Sequence, residues 1–213
     1  MKQWFSKLHD EINKSDKSIS SMEVIFYNAA KDILNTKVLK IQTLEIELTE
    51  IEFYFFEQNK HNDPFVHQDA LLKNTHNYIY VHKKAWQRGG AGITFGDGNF
   101  SGSILMRGIK YKSEYVAGSA TVKKYLASLV DTKIKEHKEL QNYFHKHKKD
   151  ISLVASTSKE FKIYSSSRIG LNKTKSKEYT DAKYRFIRED YLDAPRDENF
   201  KSHANLKNRT IFS

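Results

Sequence analysis

The chain has 213 residues and carries 36 Lys and Arg against 26 Asp and Glu, which gives a formal net charge of +10. Aromatic residues make up 13% of it, enough to bury a core, and this excludes a disordered basic tail. The absence of cysteine excludes a disulfide framework, a thiolate nucleophile and a Cys-ligated metal site. At this length, with no Gly/Ser/Pro-rich linker, we expect a single domain covering residues 1–213.

The composition also bears on the compartment and the partner. Residues 1–20 contain no apolar signal segment, and the longest strongly apolar run, Phe53 to Phe56, is far shorter than the roughly 18 residues of a membrane span. We therefore expect a soluble cytoplasmic protein that does not contact a membrane. The positive charge has two interpretations, a nucleic-acid-binding surface and a solvated lysine-rich exterior.

The first periodic segment predicts a helix. Apolar residues recur at three- and four-residue steps from Met22 to Leu34, and Ser20 with Glu23 forms the pattern of a capping box. Residues 1–20 are assigned to an N-terminal lead.

The next segment, Val38 to Phe56, predicts one long bent strand or two strands. Apolar residues occupy even positions before Thr49 and odd positions after it, so the buried face changes through a bulge or turn near that residue. Glu50, Glu52 and Tyr54 then share the face opposite the core. Two carboxylates beside an aromatic ring are a combination suited to a functional site.

The rest of the chain predicts shorter elements. Seven of the nine glycines lie between Gly89 and Gly108, which favours a hairpin there. The predicted elements are a strand at 78–82, the hairpin strands 93–95 and 103–106, a helix at 122–130, and strands at 161–164, 168–171 and 184–187. The segment 131–150 is assigned to a basic insertion, an exposed helix or a mobile arm, and 188–213 to a C-terminal tail.

Several motifs resemble, in the right order, those of the alkyladenine (3-methyladenine) DNA glycosylases. The run Glu50-Ile51-Glu52-Phe53-Tyr54, followed by Asp63 and His67, resembles the family's E-x-E-x-Y…D-x-x-x-H signature. The further matches are 30–34 with the opening helix, 78–80 with a Y-V-Y strand, 104–108 with a hydrophobic-hydrophobic-Arg-Ala strand, 118–126 with a G-P-x-K-L helix start, and 167–171 and 183–187 with the closing strands.

This resemblance implies a fold and a set of roles. The implied fold is α+β, a single domain with a curved antiparallel β core flanked by helices. Glu52 is matched to the carboxylate that activates water, and Arg107 to the arginine that orients the sugar and phosphate. Glu50, on the same face as Glu52, is a supporting residue or the fallback candidate for its role. The residues matched to base contacts are Tyr54, His67 and Tyr80, which would stack on a flipped base, and Thr94, at the family's purine-screening position. Each residue also has an ordinary alternative in surface solvation, core packing or a structural ion pair.

The wedge segment departs from the family pattern. A Y-G segment that carries the family's intercalating tyrosine is replaced by residues 83–88, where Trp86 is the candidate to fill the vacated stack. We expect Lys83, Lys84 and Arg88 beside it to contact DNA. Together with Thr94, this change points to a bulky or hypermodified base, such as those of phage DNA, and hence to antiviral defence as a variant of the repair role.

The sequence therefore predicts a monofunctional DNA glycosylase that leaves an abasic site in double-stranded DNA. We expect a monomer, associated with the nucleoid, that needs no cofactor and no metal. Two alternatives remain open: a non-catalytic DNA-binding module on the same fold, and a metal-dependent nuclease. The nuclease would use a loop rich in histidine and aspartate, namely His61, Asp63, His67, Asp69, His76 and His82.

Overall fold

The computed structural model of the protein describes residues 2–82 and 86–192. The helices are α1 (Lys2–Lys14), α2 (Ile19–Thr36), α3 (Ala70–Asn74), α4 (Ser119–Val130), α5 (His137–Lys146), α6 (Lys177–Asp181) and α7 (Glu189–Leu192). The strands are β1 (Lys37–Ile41), β2 (Leu44–Phe56), β3 (His76–Val81), β4 (Ala91–Phe95), β5 (Ser101–Tyr111), β6 (Glu114–Ala117), β7 (Ile151–Ala155), β8 (Ile163–Ser166) and β9 (Arg185–Arg188). The predicted DNA contacts Lys83 and Lys84, and residues 193–213 of the predicted tail, lie outside the described residues. The first part of that tail, 188–192, is not a tail: it ends β9 and forms α7, where Arg188 and Tyr191 are buried.

All nine described strands join one sheet in which every pairing is antiparallel. The main path runs β3-β4-β5-β2-β1-β7, with β6 added to β5, and with β9 paired to both β2 and β8. The sheet curls into a half-barrel flanked by helices, which confirms the predicted α+β class and the curved antiparallel core.

Strand β2 contributes side chains to the main core on one face of the sheet and to the predicted site on the other face. Its odd-numbered residues Ile51, Phe53 and Phe55 are buried in the main hydrophobic cluster, where the Phe26 ring of α2 stacks on Phe53 with centroids 4.4 Å apart. Pairing with β5 is interrupted on both sides of Glu50. The predicted bulge beside Thr49 is thereby confirmed: Ile46 and Leu48 lie in this core before the bulge, and the even-numbered side chains after it point to the other face.

The ends of several elements differ from their sequence predictions. Helix α2 is capped by Ser18, whose side chain accepts from the Ser21 amide, so the predicted Ser20 cap is wrong. The N-terminal lead contains helix α1, because Phe5, Leu8 and Ile12 supply it with a buried stripe. Residues 168–171 are not a strand but a loop.

The basic segment 131–150 is a packed element of the domain. Leu140 and Phe144 of α5 are buried, and the Gln141 side chain accepts from the Val81 amide and donates to the Ile79 carbonyl of β3. Two apolar residues on one helical face suffice to dock a helix whose lysines remain exposed. The prediction of an exposed helix or arm is therefore correct only for its lysine-rich face.

The carboxylate of Asp190 gives the fold a testable acid sensitivity. It accepts hydrogen bonds from Arg188 at 2.6 Å and from Tyr115 at 2.8 Å. Burial opposes the charged form of Asp190, but these hydrogen bonds outweigh burial and lower the pKa of Asp190 below 3.8. A lowered carboxylate pKa contributes stability above the unfolded value, and this contribution is lost as pH falls. We expect the free energy of unfolding, measured by urea titration, to decrease less between about pH 5 and pH 3 in Asp190→Asn than in the wild type. Asp10→Asn, at an exposed position, is the control that should keep the wild-type slope.

Candidate functional site

The sheet register brings the predicted site residues into adjacent rows on one face. Residues directly paired in neighbouring antiparallel strands point to the same side of the sheet. One row crosses five strands as Tyr80, Gly92, Leu105, Glu52 and Arg185. Tyr54 is paired with Ser103 in the next row, and the distant segments of the chain thus converge on Glu52.

Glu52 is completely buried and receives several polar contacts. The Tyr54 hydroxyl donates to its Oε2 at 2.9 Å, and the Ile169 amide donates to its Oε1 at 2.8 Å. Arg107 Nε lies 3.4 Å from the same Oε1, an ion-pair separation longer than a good hydrogen bond. Burial, followed by the charge of Glu52, raises the pKa of Tyr54 well above 10, so the phenol remains the donor.

Glu50 lies one pleat away and joins two arginines. Its Oε1 accepts from Arg185 Nε at 2.6 Å and from Arg107 Nε at 3.1 Å. Burial opposes the charge of Arg107, but the carboxylates of Glu52 and Glu50 outweigh it and raise the pKa of Arg107 above its ordinary value. Glu50 thus contacts the same arginine that lies beside Glu52.

A cavity of about 540 Å³ opens directly above this carboxylate network. All three partners of Glu52, namely Tyr54, Arg107 and Ile169, line it. One wall is apolar and includes Phe65, Val66, Leu105 and Leu171. The remaining lining carries polar side chains, those of His67, His82, Asn172 and Lys175. Such a mixture of apolar surface and a few convergent polar groups is typical of small-molecule and base pockets.

Two of the predicted base contacts do not line this cavity. Tyr80 is 1% exposed and packs edge-on against His82, with ring centroids 5.2 Å apart. Thr94 is fully buried, and its hydroxyl accepts from Thr75 and from the Tyr78 amide. Thr94 therefore makes structural bonds to Thr75, just before β3, and to Tyr78 within β3, and it does not line the cavity as a pocket gate would.

The candidate wedge residue Trp86 is half-buried and packs against the main core. The Lys123 ammonium lies 4.9 Å above its ring and donates to the Arg88 carbonyl at 2.7 Å. The structure therefore shows Trp86 packed rather than projecting, whereas the Arg88 side chain on the same loop is exposed.

Sequence reasoning missed three parts of the site. The Ile169 amide is a backbone group that no residue type signals, and Arg168 beside it falls in a segment predicted as a strand. Lys175 of the sequence Lys173-Thr174-Lys175-Ser176-Lys177 lies at the cavity rim, where its Nζ donates to the Pro64 carbonyl at 2.6 Å. The alternating lysines of this segment were the available signal.

The histidines of the proposed nuclease loop are dispersed. His61 is buried and bonds the Lys17 carbonyl, whereas His76 packs against Phe5. Within residues 2–82 and 86–192, no three His, Asp or Glu side chains are grouped so that they could hold a metal ion. Across the same two ranges, none of the helices combines the length and apolar character needed to cross a membrane.

Comparison with known proteins identifies no family for the chain. No protein-family model matches it, and no curated protein is significantly similar to it in sequence.

Proposed function

We propose that the protein is a monofunctional DNA glycosylase that hydrolyses the bond between a flipped base and its sugar. The observation that carries the proposal is Glu52, a buried carboxylate whose three partners all line one cavity. The order of motifs along the chain and the curled antiparallel sheet support a fold like that of the alkyladenine glycosylases.

The proposed reaction needs a carboxylate that orients and deprotonates water while positive charge develops on the sugar. Arg107, whose Nε lies 3.4 Å from Glu52 Oε1, lines the cavity, so a water bound in the cavity beside Arg107 would approach Glu52 from this side. Tyr54 and the Ile169 amide would hold the carboxylate in place, and the charge of Glu52 would stabilise the oxocarbenium-like sugar. Arg107 would face the sugar and its phosphate.

The size and lining of the cavity support a base larger than an ordinary purine. At about 540 Å³ the cavity is within the range of about 300–1,000 Å³ found for sites that enclose drug-sized ligands. Neither Gly90, which lines it, nor Gly92, in the row of Glu52, contributes a side chain. Tyr54 and Phe65 offer aromatic surface for stacking, and Asn172 and Lys175 offer polar contacts to a substituent. We therefore propose a bulky modified base as the substrate class, with phage defence as the corresponding role.

The proposal is tested by mass spectrometry of bases released from DNA duplexes that carry alkylated, deaminated and glucosylated bases. Base release in the presence of EDTA, leaving alkali-labile abasic sites, would support it. Strand cleavage that chelator abolishes would favour a nuclease, and tight binding without release on every duplex would favour a DNA-binding module.

Two basic positions at the cavity mouth give a prediction about DNA binding. Lys175 lines the cavity, and Arg88 on another loop directly precedes Gly89, which also lines it; both side chains are exposed, and we expect them to contact phosphates beside an extruded base. Affinity for DNA falls as salt rises, so the slope of log affinity against log salt is negative. Removal of one side chain that binds a phosphate should make this slope less steep by about 0.9. We expect Arg88→Ala and Lys175→Ala each to do so in fluorescence anisotropy titrations.

The matched control for this measurement is Lys7→Ala. Lys7 is 78% exposed on α1, and its substitution removes the same single charge at a residue that does not line the cavity. A Lys7→Ala slope that falls as much as the other two would indicate a general charge effect and contradict the proposed DNA path.

A further inference from the structure

Arg168 and Asp63 form a buried ion pair that the proposed reaction does not use directly, and each is next in the chain to a residue that lines the cavity. Arg168 Nη1 lies 2.7 Å from Asp63 Oδ2, and both side chains are 0% exposed. A buried ion pair is costly to desolvate, and replacement by apolar residues is often neutral or stabilising. We therefore expect this pair to fix the geometry of the residues around it rather than to add stability.

The arginine side of the pair determines the path of the loop that contacts Glu52. In addition to its ion pair with Asp63, the Arg168 guanidinium donates to the Phe53 carbonyl at 3.3 Å and to the Tyr179 carbonyl at 3.1 Å. The very next amide, that of Ile169, is the one that donates to Glu52. Because the guanidinium is held by three partners, the backbone attached to it has little freedom, and the direction of the Ile169 N–H is defined.

The same guanidinium also supports the ring of Tyr54. Its central carbon lies 4.6 Å from the centroid of Tyr54, whose hydroxyl donates to the other oxygen of Glu52. A cation over an aromatic face is attractive at this distance. Arg168 therefore acts on both oxygens of Glu52, through Ile169 on Oε1 and through Tyr54 on Oε2.

The aspartate side of the pair holds a second loop that lines the cavity. Asp63 Oδ1 accepts from the Phe65 amide at 3.0 Å, and the Asp63 carbonyl accepts from the Val66 amide at 3.3 Å. Phe65, Val66 and the following His67 line the cavity. One ion pair thus connects the loop that carries the base-contacting wall to the loop that carries the Ile169 donor.

We propose that Asp63 and Arg168 are positioning residues that align the Tyr54 hydroxyl and the Ile169 amide on Glu52. This inference rests on the proposed glycosylase function for its kinetic consequence, but the alignment itself can be observed without any substrate. Lysine at position 168 would keep the charge while losing the planar group that binds three partners and covers a ring.

The test compares Arg168→Lys with Arg188→Lys as a matched control. Arg188 has the same kind of environment: it is 1% exposed, bonds Asp190 at 2.6 Å and the Leu34 carbonyl at 3.3 Å, and covers the Phe161 ring at 4.6 Å. It does not line the cavity. If buried arginines here serve stability alone, both variants should behave alike.

The first readout is NMR of the isotope-labelled protein without DNA. Ile169 is 36% exposed, so its amide would exchange quickly without the bond to Glu52. We expect a slowly exchanging, downfield Ile169 amide in the wild type and in Arg188→Lys, and its loss in Arg168→Lys and Asp63→Asn. An unchanged Ile169 signal in folded Arg168→Lys would overturn the proposal. So would failure of both site variants to fold while Arg188→Lys folds, because the pair would then be a requirement of the fold.

The second readout is the single-turnover rate of base release with enzyme in excess, which reports chemistry rather than the fraction of active protein. A misplacement of about 1 Å at a reacting group can cost about 10²-fold in rate. We expect a loss of this order in Arg168→Lys with DNA affinity retained, and a wild-type rate in Arg188→Lys. Absence of base release in the wild type would instead refute the glycosylase function and leave the NMR result to decide the positioning role.

Discussion

Glu52→Gln is expected to abolish base release while leaving the fold and DNA binding intact. A positioned general base contributes about 10²- to 10⁴-fold to such a reaction, and glutamine cannot accept the proton from water. The amide keeps the shape of the side chain, and its oxygen can still accept from the Ile169 amide or from the Tyr54 hydroxyl. Arg107 retains its contact with Glu50 at 3.1 Å, so no buried cation is left without a carboxylate. Single-turnover release and binding anisotropy on the same DNA separate the two effects.

Glu47→Gln is the control for this substitution, because it makes the same chemical change on the same strand. Glu47 pairs with Lys159 at 2.6 Å and Arg188 at 2.8 Å, and it does not line the cavity. It should keep the wild-type rate. Full activity in Glu52→Gln, or equal losses in both variants, would show that Glu52 is not the group that activates water.

The sequence was most informative in β2, where the alternation of apolar and polar residues changes phase at the bulge beside Thr49. The change of parity at Thr49 predicted that Glu50, Glu52 and Tyr54 would share a face, and the contact between Tyr54 and Glu52 shows that they do. This prediction succeeded because strand geometry is local and every side chain of β2 follows the same alternation. Glu52 was chosen as the catalytic candidate from the same segment, because residues 50–54 also carry the E-x-E-x-Y match.

The rest of the site could not be predicted because it depends on contacts between distant segments. Thr94 was matched by counting along one strand, but its bonds to Thr75 and Tyr78 depend on how the chain before β3 returns to the sheet. The Ile169 donor is a backbone amide, which sequence patterns do not reveal. Its loop was predicted as a strand because Arg168 to Leu171 contains two β-branched or apolar residues, and local propensity gave no sign that a buried guanidinium would fix the loop.

The packing of helix α5 also could not be predicted from the composition of its segment. Six lysines and three histidines between Lys133 and Lys149 dominated its interpretation as an exposed arm. Leu140 and Phe144 are only two apolar residues, yet they are buried against the rest of the domain. Composition averages over a segment, whereas packing depends on which face of a helix carries its few apolar side chains.

Glu50→Ala is expected to have the largest effect on stability among single changes at the site. Glu50 is 1% exposed and its Oε1 faces both Arg185 and Arg107, so its removal leaves two largely buried guanidinium groups without this carboxylate. Breaking a buried pair in this way costs about 3–5 kcal/mol in the free energy of unfolding. We expect urea titration to show a loss of this size, together with slower base release because Arg107 is no longer held beside Glu52.

The matched surface substitution is Glu11→Ala. Glu11 pairs with Lys7 on the solvent side of α1, where the two side chains are 38% and 78% exposed, and such surface pairs contribute about 0–1 kcal/mol. A cost for Glu50→Ala as small as that for Glu11→Ala would mean that the two arginines find other partners or reach solvent. In that case Glu50 could not be the residue that fixes Arg107, and the orientation of Arg107 towards Glu52 would have to come from Glu52 itself. A large cost with an unchanged rate of release would separate the two roles, making Glu50 a determinant of the fold rather than of the site.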